Sequence, residues 1–154
     1  MADVIYGKAF LTDVKEMQAL VKPFVENGII LFRSDDEVSN TIRSYTVARL
    51  DGKIVGFCAL YIYSPSLGEI RSLVVAPDRH GEGIGAGLVR AAMEEGRALG
   101  LEKLLALTFA KEFFEKLGFI EVDKEELPHS KIWEDCIKCK HFPVCNESAL
   151  ILKL

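Results

Sequence analysis

The sequence predicts an α/β protein with a mixed central sheet of about six to seven strands and helices on both faces. Three observations carry that prediction. Hairpin-linked strand patterns lead up to Val75, strand–helix alternation follows, and a glycine-rich segment joins the strand ending at Val75 to an amphipathic helix. At 154 residues, 49% hydrophobic and 27% charged, the chain has the length and apolar content of a single domain over 1–154. It shows no internal repeat and no low-complexity tract.

Val4 to Phe10 reads as the first strand. Thr12-Asp13 offers a helix N-cap, Val14, Met17, Leu20, Val21 and Val25 recur at helical spacing, and Asn27-Gly28 stops the helix. Ile29-Ile30-Leu31-Phe32 is a short apolar stretch, and Ser34-Asp35-Asp36-Glu37 has the form of a capping box opening a second helix. Tyr45 to Leu50 and Ile54 to Tyr63 are strands joined by Asp51-Gly52-Lys53, a hairpin signal. After the Ser64-Pro65-Ser66-Leu67-Gly68 turn, Glu69 to Val75 reads as a third strand of this group. A helix leaves the glycine-rich turn and runs to Leu99, with Gly100 as its cap. Lys103 to Thr108 is a strand, Ala110 to Leu117 a short helix, Phe119 to Val122 another strand, and Ser148 to Leu154 a candidate last one.

Lys and Arg total 19 against 23 Asp and Glu, a net charge of −4 that argues against nucleic acid or an anionic membrane as partner. No apolar run reaches the roughly 18–20 residues that span a bilayer. Met1-Ala2-Asp3-Val4-Ile5 has no basic region followed by a long apolar core, so a cytoplasmic protein is expected. In that compartment the four cysteines do not form a disulfide scaffold. Cys58 sits in an apolar strand and behaves as a small hydrophobe. Cys136, Cys139, His141 and Cys145 carry a C-x-x-C half-site, but four ligands from one ten-residue stretch are cramped for zinc. Loop thiols packing around Trp133 and Phe142 are the expectation, with no metal assigned.

The most informative segment is His80-Gly81-Glu82-Gly83-Ile84-Gly85. Glycine allows a tight turn and a close backbone approach, and the orphan amides of the following helix, with its dipole, favour a phosphate. There is no Lys-Ser/Thr after the last glycine, which excludes a Walker loop, and the G-x-G-x-G-x-G spacing in mid-chain is not the Rossmann fingerprint.

Leu73 to Gly85 resembles the acetyl-CoA-binding segment of the GNAT acetyltransferase superfamily: a strand, Val-x-Pro, then a basic residue and glycines. Phe113-Phe114-Glu115-Lys116-Leu117-Gly118-Phe119 resembles that family's later Leu-Gly-Phe motif. The chain is more narrowly similar to the acetyltransferase domain of N-acetylglutamate synthases, the amino-acid N-acetyltransferases of arginine biosynthesis. Leu31-Phe32-Arg33-Ser34, Cys58-Ala59-Leu60-Tyr61, Gly68-Glu69-Ile70 and Leu127-Pro128 carry that likeness. These 154 residues include no counterpart of the amino-acid-kinase domain of longer members, so a short, stand-alone form without the arginine feedback site of that domain is expected.

The resemblance implies a GNAT fold and direct attack of an amine on the acetyl-CoA thioester. It assigns cofactor contacts to Leu73, Val74, Val75, Arg79, His80, Gly81, Glu82, Gly83, Ile84, Gly85 and Ala86. Glu69 matches the synthases' general base. An α-amine with pKa about 7.7–8.0 needs only a nearby carboxylate to lose its proton near neutrality. Leu31, Arg33, Arg71 and Ser72 fall at acceptor-binding positions, the arginines suited to the carboxylates of L-glutamate. Arg71 lies one pleat from Glu69 on the same strand face. Where relatives place a hydroxyl acid this chain has Ala110 and Phe114; Thr108 is the nearest substitute, the alternative being unassisted departure of a thiolate. The fold also allows a homodimer through an exposed strand edge. Competing readings are another acceptor (a different amino acid, a polyamine or a protein N-terminus) and a CoA-binding module without turnover.

Overall fold

The computed structural model describes residues 3–123 and 148–154. The cysteine-bearing stretch with Cys136, Cys139, His141 and Cys145, and Leu127-Pro128, lie outside the described residues. The elements are β1 (Ile5–Lys8), α1 (Val14–Glu26), α2 (Asp35–Asn40), β2 (Tyr45–Leu50), β3 (Lys53–Ile62), β4 (Leu67–Val75), α3 (Ile84–Leu99), β5 (Lys103–Thr108), α4 (Lys111–Lys116), β6 (Ile120–Val122) and β7 (Ser148–Lys153). They form a mixed seven-stranded sheet in the order β1-β2-β3-β4-β5-β7-β6. Only β4 and β5 are parallel, and α3 is the crossover between them.

Local chemistry explains most boundaries. Leu50 pairs with Lys53, which leaves Asp51 and Gly52 as a two-residue turn with φ of 52° and 78°. Positive φ at both positions is what a type I′ hairpin needs, and Asp-Gly supplies it. Ser34 caps α2: its hydroxyl accepts from the Glu37 amide at 3.2 Å, and the Glu37 carboxylate accepts from the Ser34 amide at 3.3 Å.

Thr12-Asp13 does not cap α1. A 3₁₀ turn over Leu11–Asp13 runs straight into the helix, and Asp13 is already helical at φ −86°, ψ −14°. Its carboxylate instead accepts from the Phe10 amide at 2.8 Å and from Arg49 of β2. Burial pushes that carboxyl up, but the hydrogen bonds from Arg49 and Phe10 and the Arg49 charge outweigh it and hold Asp13 below the ordinary carboxylate range. The same turn ends β1 at Lys8, short of the Phe10 that alternation suggests.

Two apolar clusters hold the layers together. On one face α1 and α2 pack Met17, Val21 and Val38 on Tyr45, Val47, Phe57, Ala59 and Val74. On the other, α3 and α4 bring Ile84, Leu88, Val89, Ala92 and Phe114 onto Cys58, Leu60, Ile70, Leu104 and Ala106. Ile84, Leu88 and Val89 are almost wholly buried, each stabilising by about 1.5–3 kcal/mol. Cys58 belongs to this core: burial pushes its thiol up to about 12, far from a usable thiolate.

The approach of α3 to β3 depends on Gly56. A Cβ there would lie 2.8 Å from the Val74 carbonyl oxygen and 3.1 Å from a Leu88 methyl. Backbone cannot yield as a side chain can. Gly56→Ala is expected to cost about 1–3 kcal/mol by overpacking, lowering Tm by about 2–12 °C in a melt followed by circular dichroism.

Candidate active site

The site forms where β4 and β5 part. Their parallel ladder runs Leu67↔Lys103, Gly68↔Leu104, Glu69↔Leu105 and Ile70↔Ala106, and then stops. Just beyond, β4 bulges: Phe57 faces Val74 and Ala59 faces Arg71, so Ser72 and Leu73 together oppose Cys58. Ser72 carries the strain, with φ of +52°. The bulge turns β4 away from β5, leaving Leu73, Val74 and Val75 with an edge that β5 does not pair. An extended amide chain fits such an edge as an added strand would.

The same strand leads into the glycine loop. Pro77–Arg79 forms a 3₁₀ turn, and Gly81 and Gly83 have φ of +86° and +81°. Gly87 donates to the Gly83 carbonyl at 3.0 Å as α3 begins, so the amides of Ile84, Gly85 and Ala86 lie before the helical bonding starts. A Cβ at Gly81 or Gly83 would meet nothing within 4 Å, so the cradle is open on its outer side. Orphan amides, a helix N-terminus and this opening fit a pyrophosphate. Arg79 lies 3.6 Å from Glu82 on the rim. His80 turns away from the loop: its Nε2 is 3.0 Å from the Val75 carbonyl, where the ring N–H can donate. His80 therefore ties the loop back to β4, while Arg79 stands on the loop's rim. Phe113 of α4 rests against Gly85 in the first turn of α3.

Glu69 stands on the α1/α2 face of the sheet, one residue before the ladder ends, and is 2% exposed. Its Oε1 accepts from Arg71 Nε at 2.6 Å and from the Tyr63 hydroxyl at 2.7 Å. Arg71 also donates to the Tyr63 oxygen at 2.7 Å, closing a triangle, and its guanidinium lies 3.8 Å from the centroid of the Tyr61 ring. Burial, then the Glu69 charge, pushes the Tyr63 phenol far up, so it remains protonated and donates.

Beside this group, on the same face, is a shallow cleft lined by Gln18, Leu31, Arg33, Tyr45, Phe57 and Ser72 over an apolar floor of Met17, Val21 and Val38. Gln18 holds the Arg33 segment by donating to its carbonyl at 2.8 Å and to Asp35 at 3.0 Å. Burial raises the Tyr45 hydroxyl, while Arg33 and Arg71 both act to lower it. Both cationic charges therefore reach one hydroxyl at the cleft.

The structure thus brings Glu69, Arg71, Ser72, Leu31 and Arg33 to one face beside the strand gap. Thr108 lies on β5 two residues past the last ladder pair and, by strand alternation, shares the α3 face with Ala106. Its hydroxyl oxygen accepts from the Ala110 amide at 2.8 Å, which leaves its own O–H able to donate. Phe114 is buried at 4% in an aromatic group with Phe113 and Phe119, their ring centroids 5.0 and 5.1 Å away. Tyr61, Tyr63, Tyr45 and Gln18 are functional candidates that sequence reasoning does not single out. The short turn after Tyr63 is the signal for two of them: it sets Tyr61 opposite Glu69, with Tyr63 on the same face.

Among the described residues, no group of three or more His, Cys, Asp or Glu could hold a metal, and no helix is long and apolar enough to cross a membrane.

Comparison with known proteins agrees with this architecture. The chain is 34% identical over 153 residues to an uncharacterized N-acetyltransferase of Chlorobaculum tepidum, covering 99% of this chain and 98% of the relative. It is 32% identical over 132 residues to the amino-acid acetyltransferase of Neisseria meningitidis, covering 84% of this chain but 30% of that protein. N-acetylglutamate synthase from Neisseria gonorrhoeae, solved with coenzyme A and N-acetyl-glutamate, superposes with a TM-score of 0.89 at 28% identity, over 100% of this chain and 36% of the synthase. The chain thus spans about a third of the two Neisseria proteins and nearly all of the Chlorobaculum one. The model of the acetyltransferase (GNAT) family matches residues 12–119, so the chain belongs to the GNAT acetyltransferases, whose cosubstrate is acetyl-CoA.

Proposed function

We propose that this acetyltransferase acts on the α-amino group of an amino acid, L-glutamate, in arginine biosynthesis. The observation that carries the reading is a buried carboxylate, Glu69, beside the β4/β5 gap and on the same sheet face as a cleft containing Arg33. The likeness to a synthase solved with N-acetyl-glutamate supports the choice of acceptor.

Bound acetyl-CoA supplies an electrophilic thioester carbon. The amides from Gly81 to Ala86, with Arg79, hold its pyrophosphate, and the free edge at Leu73 to Val75 pairs its amide chain. Arg33 orients the acceptor through a carboxylate, with Leu31 and Ser72 beside it in the cleft. Glu69 takes the amine proton as the N–C bond forms and the C–S bond breaks. The departing thiolate, of pKa near 8.5, leaves as such or with a hydrogen bond from the Thr108 hydroxyl, and takes its proton from solvent.

The test is mass spectrometry of products from acetyl-CoA and an equimolar pool of amino acids and polyamines. A dominant N-acetylglutamate peak supports the reading; a different acetylated amine removes glutamate and keeps the enzyme class. Arg33→Ala is expected to raise KM for the acceptor about 10- to 100-fold, the loss of a charge-assisted pair, with KM for acetyl-CoA unchanged.

One observation favours a second acceptor. Arg71 is engaged by Glu69 and Tyr63, and Arg33 is the cation among the residues that line the cleft, whose floor is apolar. An amino acid with one carboxylate and a neutral side chain also suits that lining, and the same pool contains it.

A further inference from the structure

We propose that Arg71 and Tyr63 are positioning residues that orient the Glu69 carboxylate, and that Arg71 is not a ligand for the acceptor's carboxylate. The inference rests on Glu69 being the base of the acetylation proposed above.

The geometry points this way. Arg71 and Glu69 are two residues apart on one strand, so their side chains stand on one face. Arg71 uses Nε on the carboxylate at 2.6 Å and a terminal nitrogen on the Tyr63 oxygen at 2.7 Å. The guanidinium plane is held in turn by the Tyr61 ring, 3.8 Å from its centroid. Tyr63 is placed by the hairpin: its amide donates to the Leu67 carbonyl at 2.9 Å, and Ser64 Oγ accepts from the Leu67 amide at 3.1 Å. Arg71 Nε and the Tyr63 hydroxyl both donate to Glu69, and a terminal nitrogen of Arg71 donates to the Tyr63 oxygen.

Burial makes this arrangement necessary. The Glu69 side chain is 3% exposed and that of Arg71 15%. A carboxylate so enclosed keeps one orientation only with a partner charge and hydrogen bonds. From the described elements packed against it, β4 brings Arg71, β3 brings Tyr61 and Tyr63, and β5 brings the apolar Leu105. Lysine at position 71 keeps the charge, but a single ammonium cannot reproduce the planar fork stacked on Tyr61.

Arg71→Lys and Tyr63→Phe carry the test, because Arg71→Ala would strand a buried charge and risk the fold. Both proteins are first checked by thermal melting. Acetylation of glutamate is then measured at fixed pH, and the ¹³C resonance of the Glu69 side-chain carboxyl, assigned with Glu69→Gln, is recorded at the same pH. A carboxylate that loses hydrogen-bond donors changes its local environment, so its resonance moves. The expected result is a kcat about 10- to 100-fold lower from misorientation, with the acceptor KM within about twofold of wild type. The Glu69 ¹³C resonance moves from its wild-type position in both variants, more in Arg71→Lys than in Tyr63→Phe.

An acceptor KM raised about tenfold or more, with the Glu69 ¹³C resonance unmoved, would overturn the inference and make Arg71 a substrate ligand. If no amino acid is acetylated, or Glu69→Gln stays active, the functional reading has failed separately. The ¹³C resonance needs no turnover and then still decides whether Arg71 and Tyr63 hold the carboxylate.

Discussion

Glu69→Gln is expected to lower kcat for acceptor acetylation by about 10²- to 10⁴-fold, the usual contribution of a positioned general base, while leaving the affinity for CoA unchanged. Glutamine is nearly the same size and still accepts hydrogen bonds from Arg71 and Tyr63, but it cannot take the amine proton. The deficit should shrink as pH rises and the acceptor amine loses its proton without help. The same change removes the countercharge of Arg71, whose side chain is 15% exposed. A stability loss of about 3–5 kcal/mol is the expected cost of an uncompensated buried charge. Calorimetric titration with CoA and a thermal melt separate the two effects. Turnover within about threefold of wild type, in a folded protein, would remove Glu69 from the reaction.

Gly83→Val should strike the other half of the site. Gly83 caps α3 in the left-handed region at φ +81°, a conformation a β-branched residue adopts only under strain of about 1–3 kcal/mol. A Cβ there meets no protein atom within 4 Å, so the damage is to the backbone and not to packing. Relaxing the turn moves the Ile84, Gly85 and Ala86 amides off their common target, and KM for acetyl-CoA is expected to rise about tenfold or more. Gly83→Asn provides the control. Asparagine tolerates positive φ, so a backbone cause predicts that it restores most of the affinity, whereas a direct steric block predicts that it does not. Initial-rate KM for acetyl-CoA and the Kd for CoA measure both.

Much of this architecture is legible in the amino-acid sequence. The alternation in Tyr45 to Tyr63, the Asp51-Gly52 turn and the strand–glycine–helix junction each announce themselves within a few residues, because each depends on the φ preference or side-chain period of its own segment. Thr12-Asp13 shows the limit of that reasoning. Its composition suits a cap, but the Arg49 guanidinium draws the Asp13 carboxylate across to β2. Arg71 shows it again: its residue type and strand face suggest a carboxylate ligand, and the carboxylate it holds is Glu69.

The sequence by itself determined the fold class, the order of strands and helices and the glycine loop at the strand–helix junction, and its resemblance to a known family pointed to the candidate base. Those properties reside in residues that are neighbours along the chain. Only the tertiary structure decided where β4 leaves β5, that Ser72 sits in the bulge at the gap, and that Tyr61 and Tyr63 stand with Arg71 around Glu69. The physical reason is register. Which residues oppose one another, and where a ladder breaks, depend on pairing between segments distant in sequence, and the balance of burial and hydrogen bonding across the whole sheet selects that pairing.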